Sequence, residues 1–228
     1  MVALLARDGG DMAKDEAPRR VPSTAGYGEN AAALAVKYES IPFAEVHRHI
    51  AHLISPAPPV RRIVDIGAGT GRDAAALAAL GHDVTAVEPT PELRAFGQHR
   101  HADAAIVWID DALPDLASMR TRGEASFDLV LLTAVWMHLD AEERSAAMPN
   151  VAALVAPEGL LAMTLRHGPV PSGRRMFDVS PEETTDLAGR SELTLVHSSR
   201  RGDMFGRAEI GWDVLVFRRV IADLKTLR

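Results

Sequence analysis

The densest chemistry in this chain lies in the run Val64-Asp65-Ile66-Gly67-Ala68-Gly69-Thr70-Gly71-Arg72-Asp73. An apolar stretch, Ile63 to Ile66, leads into glycines at alternate positions, and an alanine-rich helical pattern follows from about Asp73 to Leu80. Glycine permits backbone angles closed to other residues and lets a ligand approach the main chain. The first turn of the following helix offers unpaired N–H groups and the positive end of its dipole. Such a turn is a cradle for a polar or anionic ligand at the tip of a parallel sheet. A dinucleotide fingerprint would need glycine at position 72, where the chain has Arg72. With no Tyr-x-x-x-Lys pair either, a nicotinamide-dependent oxidoreductase is disfavoured.

Further groups stand at later strand ends. Glu88 closes the next apolar run, where a carboxylate can accept hydrogen bonds from both hydroxyls of a ribose. Asp110 and Asp111 close the third; no His or Glu lies at matching spacing, so no metal site is expected. His138 follows the fourth run, as a general base with a pKa near neutrality or as a locally packed helix residue. Trp136 beside it either walls a site or fills the core. After the fifth come Arg166-His167-Gly168-Pro169 and Arg174-Arg175. These arginines can fork onto a carboxylate or phosphate of a substrate, or form a solvated surface loop.

The elements that must hold these groups are legible from patterning. Strands are expected at 62–66, 83–88, 105–110, 127–132 and 160–165, alternating with helices, and Leu193 to Ser198 and Trp212 to Val220 should pair antiparallel. Asp140 with Glu143 makes a capping box, and Ser180-Pro181-Glu182-Glu183 reads as a helix start. Pro149 should break or kink the helix it interrupts. Helical spacing also covers 30–38 and 42–54, before a stiff Pro56-Ala57-Pro58-Pro59 linker. The fold class is α/β: a doubly wound, mostly parallel seven-stranded sheet with an antiparallel C-terminal hairpin and an N-terminal helical cap. The divisions are a flexible leader at 1–22, the cap at 23–59 and the Rossmann-like domain at 60–228.

With 228 residues, 47% of them hydrophobic and 25% charged, the chain suits one ordinary globular domain. Its formal net charge of −6 disfavours nucleic-acid binding through bulk electrostatics. The lack of cysteine excludes disulfides, thiolate metal sites and cysteine nucleophiles. No apolar run approaches the roughly 18 residues of a membrane span, and the N-terminus has no signal-peptide core, so the cytoplasm is the default location. A monomer or homodimer is expected.

Together these motifs resemble the Rossmann-like (class I) S-adenosylmethionine-dependent methyltransferases of the small-molecule type. The resemblance rests on Asp65-x-Gly67-x-Gly69-x-Gly71, on Glu88, and on Asp111-Ala112-Leu113-Pro114. It extends through Phe127-Asp128-Leu129-Val130-Leu131-Leu132 to Pro157-Glu158-Gly159-Leu160-Leu161, where Glu158 replaces a usual glycine. It implies S-adenosyl-L-methionine as cofactor and S-adenosyl-L-homocysteine as product, held by Tyr27, Asp65, Gly67, Ala68, Gly69, Glu88, Pro89 and Thr133. Asp111 and the backbone of Ala112, with Asp110 as the alternative, would meet the adenine. His138 would be catalytic, and Trp136, Arg166 and His167 would contact the acceptor, a small molecule. A tRNA or protein acceptor, or a non-catalytic cofactor-binding module, is the alternative. The Asn/Asp-Pro-Pro-aromatic motif of DNA amino-methylating enzymes is absent at Thr133-Ala134-Val135-Trp136.

Overall fold

The computed structural model describes residues 21–54, 59, 61–121 and 126–220. Most of the expected leader and the Pro56–Pro58 part of the linker lie outside the described residues. Seven strands form one sheet in the order β3-β2-β1-β4-β5-β7-β6. They are β1 (Arg62–Ile66), β2 (Asp83–Val87), β3 (Ile106–Ile109), β4 (Phe127–Leu132), β5 (Val155–His167), β6 (Leu193–Gly202) and β7 (Gly211–Arg219). β1 to β5 pair in parallel, and β7 runs antiparallel between β5 and β6. The chain reverses between β1 and β4, so the tips of these two strands part and open a crevice at their C-terminal ends.

Alternation along β1 divides the core. Val64 and Ile66 face a cluster with Leu132, Trp136, Met148 and Phe217. Ile63 faces the opposite cluster, with Leu77, Leu129 and the N-terminal residues Ile50 and Ile54. The N-terminal segment thus packs on the sheet face that carries Asp65. Its helices are α1 (Ala31–Glu39) and α2 (Phe43–Val46); α3 (Arg72–Ala79), α4 (Pro91–Arg100), α5 (Ala117–Thr121), α6 (Ala141–Leu154) and α7 (Pro181–Gly189) follow.

Several expectations need correction. The helix foreseen over 42–54 is regular only at Phe43–Val46 and continues as turns. α6 does not end at Pro149. Arg144, Ala147 and Met148 before the proline and Val151 and Ala152 after it are all buried, so packing on both sides offsets a cost of about 3 kcal/mol. β5 begins at Val155 because Pro157-Glu158-Gly159 is a bulge inside the strand: the pairing jumps from Phe127–Val155 to Leu129–Leu160. Glu158 sits at φ +61, the conformation that explains why glycine is usual at this place in similar sequences. The capping box at Asp140 and Glu143 is present, and the Ser180 hydroxyl accepts from the Glu183 N–H at 3.0 Å.

Candidate active site

One cavity of about 380 Å³ opens over the tips of β1, β2, β4 and β5, within the range of small-molecule sites. The β1–α3 turn forms one end. Gly67, Gly69 and Gly71 all adopt left-handed angles, with φ of +72°, +58° and +77°. What a side chain would meet differs among them. A Cβ on Gly67 would lie 2.5 Å from Val135 Cγ2, and one on Gly71 would lie 2.6 Å from the Trp108 ring. A Cβ on Gly69 would meet only the Tyr38 ring, at 3.8 Å. Gly67 and Gly71 are therefore needed for packing, whereas Gly69 keeps the floor of the cavity bare.

Two carboxylates flank this turn. The Glu88 side chain is buried and accepts from the N–H groups of Gly69 and Thr90, both at 2.7 Å. Burial pushes its carboxyl above the usual range, and these hydrogen bonds offset part of that. Asp65 is buried on the cavity wall. Burial raises its carboxyl well above the ordinary value, with the charges of Asp73 and Glu88 adding to the effect and that of Arg72 opposing it. A carboxylate buried in this way is costly by itself and well matched to a ligand cation.

The N-terminal segment is fastened to the same turn. His47 Nε2 lies 2.7 Å from Asp73 Oδ2, both side chains being buried, and Arg72 Nε donates to Asp73 Oδ1 at 2.7 Å. Burial would raise the Asp73 carboxyl, but His47 and Arg72 outweigh it and hold the group well below the usual carboxylate range. The Thr70 hydroxyl donates to Glu39 at 2.6 Å, and Arg72 Nη1 to the Tyr38 carbonyl at 3.1 Å.

At the opposite end stands His138, on the single 3₁₀ turn after β4. Its Nδ1 is 2.8 Å from the Arg175 carbonyl oxygen, which only accepts. Nδ1 therefore carries the proton, and Nε2 accepts from the Tyr27 hydroxyl at 2.9 Å. Burial pushes the imidazole below its ordinary pKa, and the charges of Arg174, Arg166 and Arg175 act in the same direction. Arg175 is itself anchored by Asp140 at 2.8 Å and Glu143 at 2.6 Å, which fixes the carbonyl that orients His138.

The structure brings Tyr27, Asp65, Gly67, Ala68, Gly69, Glu88, Pro89, Thr133, His138 and Arg166 to this one cavity. It withdraws five others. Asp111 is buried, and its oxygens accept from Ala112 N and Met119 N at 2.9 Å each, so it braces the loop that enters α5. Asp110 is exposed and pairs with Arg94 at 2.7 Å, and neither it nor Ala112 lines the cavity. Trp136 is wholly buried in the core. His167 follows Arg166 on β5, so it points to the other sheet face, where Nε2 meets Asp213 at 2.6 Å. In place of Asp110–Ala112 the cavity wall beside Glu88 is Pro89, Thr90 and Leu93. The wall also includes Lys37, Arg174, Arg201, Phe205 and Trp212 from segments remote in sequence. The convergence of Arg174 and Arg201 depends on strand order, which no local motif reports.

Comparison with known proteins places this geometry. Residues 64–163 match the family model described as a methyltransferase domain. An uncharacterised methyltransferase of Mycobacterium tuberculosis is 31% identical over 109 residues, which are 45% of this chain and 39% of that protein. The chain thus spans well under half the length of the curated relatives it matches. Among solved structures, it is similar to the 1,6-didemethyltoxoflavin N1-methyltransferase of Burkholderia thailandensis, crystallised with 1,6-didemethyltoxoflavin and S-adenosylhomocysteine. The TM-score is 0.61 at 23% identity, over 90% of this chain and 93% of that one. The magnesium protoporphyrin IX methyltransferase of Synechocystis with bound S-adenosylhomocysteine gives a TM-score of 0.65 at 15% identity, over 86% and 96% of the two chains. Among the described residues no cluster of His, Cys, Asp or Glu suits a metal, and no helix is long and apolar enough to cross a membrane.

Proposed function

We propose that this chain, which has the class I fold and matches a methyltransferase-domain family model over residues 64–163, is an S-adenosylmethionine-dependent methyltransferase acting on a small molecule. The observation that carries the reading is the juxtaposition, in one cavity, of a bare glycine floor, the buried carboxylates of Asp65 and Glu88 and a neutral histidine. The residues fit the cofactor by chemistry. Asp65 supplies the countercharge for an α-ammonium group, the Gly67–Gly69 turn offers backbone to the amino-acid portion, and Glu88 accepts from ribose hydroxyls. Pro89, Thr90 and Leu93 give the nucleobase an apolar wall. Bound there, S-adenosylmethionine would supply an electrophilic sulfonium methyl group.

The protein's own work is then alignment and exclusion of water. Where the acceptor must lose a proton, the Tyr27–His138 pair takes it. The Tyr27 oxygen accepts the acceptor's proton while its own moves to His138 Nε2, and the resulting imidazolium keeps its Nδ1–H on the Arg175 carbonyl. The acceptor heteroatom is left with a free lone pair, and the net proton is held on His138. A small acceptor is supported by the size of the cavity and by the arch that the N-terminal segment makes over it through Tyr27 and Tyr38.

The test is direct. The full chain is titrated with S-adenosylhomocysteine by calorimetry, then incubated with methyl-labelled S-adenosylmethionine and a fractionated cell extract, and the labelled product is identified by mass. Binding in the micromolar range with label in a small molecule is the expected result. Label recovered only in tRNA or protein would overturn the acceptor class, and no binding at all would overturn the function.

A further inference from the structure

The acceptor end of the cavity has an unbalanced charge. Lys37 of α1, Arg166 at the end of β5, Arg174 in the loop that follows and Arg201 near the end of β6 all line it. Among the described residues none of these four has a carboxylate within ion-pair distance. The neighbouring cations differ: Arg175 is held by Asp140 and Glu143, Arg72 by Asp73, and Arg207 by Asp203 at 2.8 Å. The carboxylate of Asp203, on the same wall, is held by Arg207 and by the Trp212 Nε1–H at 3.3 Å; its charge reaches Lys37, Arg166 and Arg201 at longer range but forms an ion pair with none of them.

Two of the four leave buried donors with no hydrogen-bond partner, Arg174 Nη1 and Arg201 Nε. Arg166 spends its guanidinium on the carbonyl oxygens of Gly168 and Pro169, at 3.2 and 2.8 Å, which orients it without neutralising it. Three of the cations also lie on aromatic faces. Arg174 Cζ is 3.6 Å from the Tyr27 ring centre, Lys37 Nζ 4.3 Å from that of Phe205, and Arg201 Cζ 5.1 Å from that of Trp212. Aromatic support holds a cation in place while leaving its charge unanswered. Around them the wall is apolar, with Met137, Met176, Met204 and Pro171.

Four cations from separate segments on an apolar wall, two of them with orphaned buried donors, describe a site lacking its anion. We propose that the methyl acceptor is a molecule with an apolar body and an anionic oxygen group, carboxylate or phosphate, seated among Lys37, Arg166, Arg174 and Arg201. This rests on the reading of the cavity as the methyl-transfer site. Like-charge crowding points the same way: burial lowers the Lys37 ammonium, Arg207 and Arg166 add to it against the opposing charge of Asp203, and a bound anion would reverse the shift.

The experiment uses the full chain with and without saturating S-adenosylhomocysteine, and three probes sharing one body: 2-naphthoate, 2-naphthyl phosphate and neutral 2-naphthamide. Calorimetry should show at least one anion binding tenfold or more tighter than the amide, with the advantage shrinking as salt rises. Which anion is preferred separates a carboxylate from a phosphate acceptor. Arg201→Gln should remove most of the preference while keeping S-adenosylhomocysteine affinity, which certifies the fold. If that variant does not fold, Lys37→Gln at a half-buried position of α1 serves the same purpose. Equal affinity for all three probes, in a chain that binds S-adenosylhomocysteine, would overturn this inference and leave the proposed function standing. Failure to bind S-adenosylhomocysteine, with the anion preference intact, would sink the proposed function and leave the anion site.

Discussion

Alanine at Gly67 and at Gly69 should separate packing from binding within a single turn. Both residues hold left-handed angles, φ +72° and +58°, so each substitution carries the strain of an L-residue there, about 1–2 kcal/mol. At Gly69 the new methyl would meet nothing nearer than the Tyr38 ring at 3.8 Å, an ordinary contact. The strain is then the whole stability cost, and at roughly 2–4 °C per kcal/mol for a chain of this size the melting temperature should fall by about 2–8 °C. At Gly67 the methyl would stand 2.5 Å from Val135 Cγ2, a contact that real structures do not tolerate. Overpacking adds about 1–3 kcal/mol, for a total of about 2–5 kcal/mol.

Binding should follow the opposite order relative to stability. The Gly69 methyl occupies the floor on which the ligand lies, so S-adenosylhomocysteine affinity should drop at least tenfold, or about 1.4 kcal/mol. Melting curves and calorimetric titrations of both variants make the comparison, and a double-mutant cycle sharpens it. Val135→Ala removes the clashing methyl groups and should return part of the stability lost in Gly67→Ala, while doing nothing for Gly69→Ala. The reasoning fails if Gly69→Ala binds S-adenosylhomocysteine like the parent, or if Val135→Ala rescues both alanines equally.

Four other perturbations probe the buried polar groups. Asp65→Asn should stabilise the unliganded protein: a carboxyl whose folded pKa is raised contributes stability below its unfolded value near 3.9, and that is lost as pH rises through the folded one. The gain should be clearest near pH 7, alongside a loss of about 1.5–3 kcal/mol in cofactor affinity; a lower melting temperature with unchanged affinity contradicts the assignment. His138→Gln should remove the acid limb of the kcat/KM–pH profile, which should lie below about pH 6.5 because burial depresses this imidazole. Tyr27→Phe should slow the reaction as His138→Gln does if the tyrosine relays the proton, whereas full activity would mean that it merely covers the histidine. His47→Ala should cost about 2–3 kcal/mol at neutral pH by removing one partner of buried Asp73. Because the Asp73 carboxyl is held low, its contribution is present above about pH 4 and fades as pH falls, so the deficit measured by denaturant unfolding should shrink in acid; a constant deficit would assign His47 to packing alone.

The parts of this molecule that were legible in sequence are those whose cause is local. The β1 and β4 boundaries, the capping box at Asp140 and the glycine turn each depend on neighbouring residues, and each matches expectation. Asp111 was misread because its real partners are the N–H of Ala112 and that of Met119 in α5, a five-residue helix too short to leave a periodic signal. His167 was misassigned by one step of strand alternation. The strand was expected to end at Leu165, but it runs on to His167, so Arg166 faces the cavity and its neighbour the far side. Pro149 misled in the opposite direction, since a local penalty lost to burial on both of its flanks.

The same distinction between local and remote causes divides the cavity itself. Its donor end comes from the tips of β1 and β2, two strands paired in register from Arg62–Asp83 to Ile66–Val87. A short motif can encode that end, because the glycine turn and Glu88 touch directly through the Gly69 N–H. The acceptor end draws on α1, the tip of β5, the loop after it and the β6–β7 hairpin. Arg166 and Arg201 come within reach of one ligand only because β7 lies between β5 and β6, facing Arg166 at one edge and Arg201 at the other through the single residue Trp212. An end assembled in this way can change its substrate by altering any of four unlinked segments while the donor motif stays intact. The proposed donor site is therefore legible in the sequence, whereas the proposed acceptor site becomes legible only when its four cations are seen together.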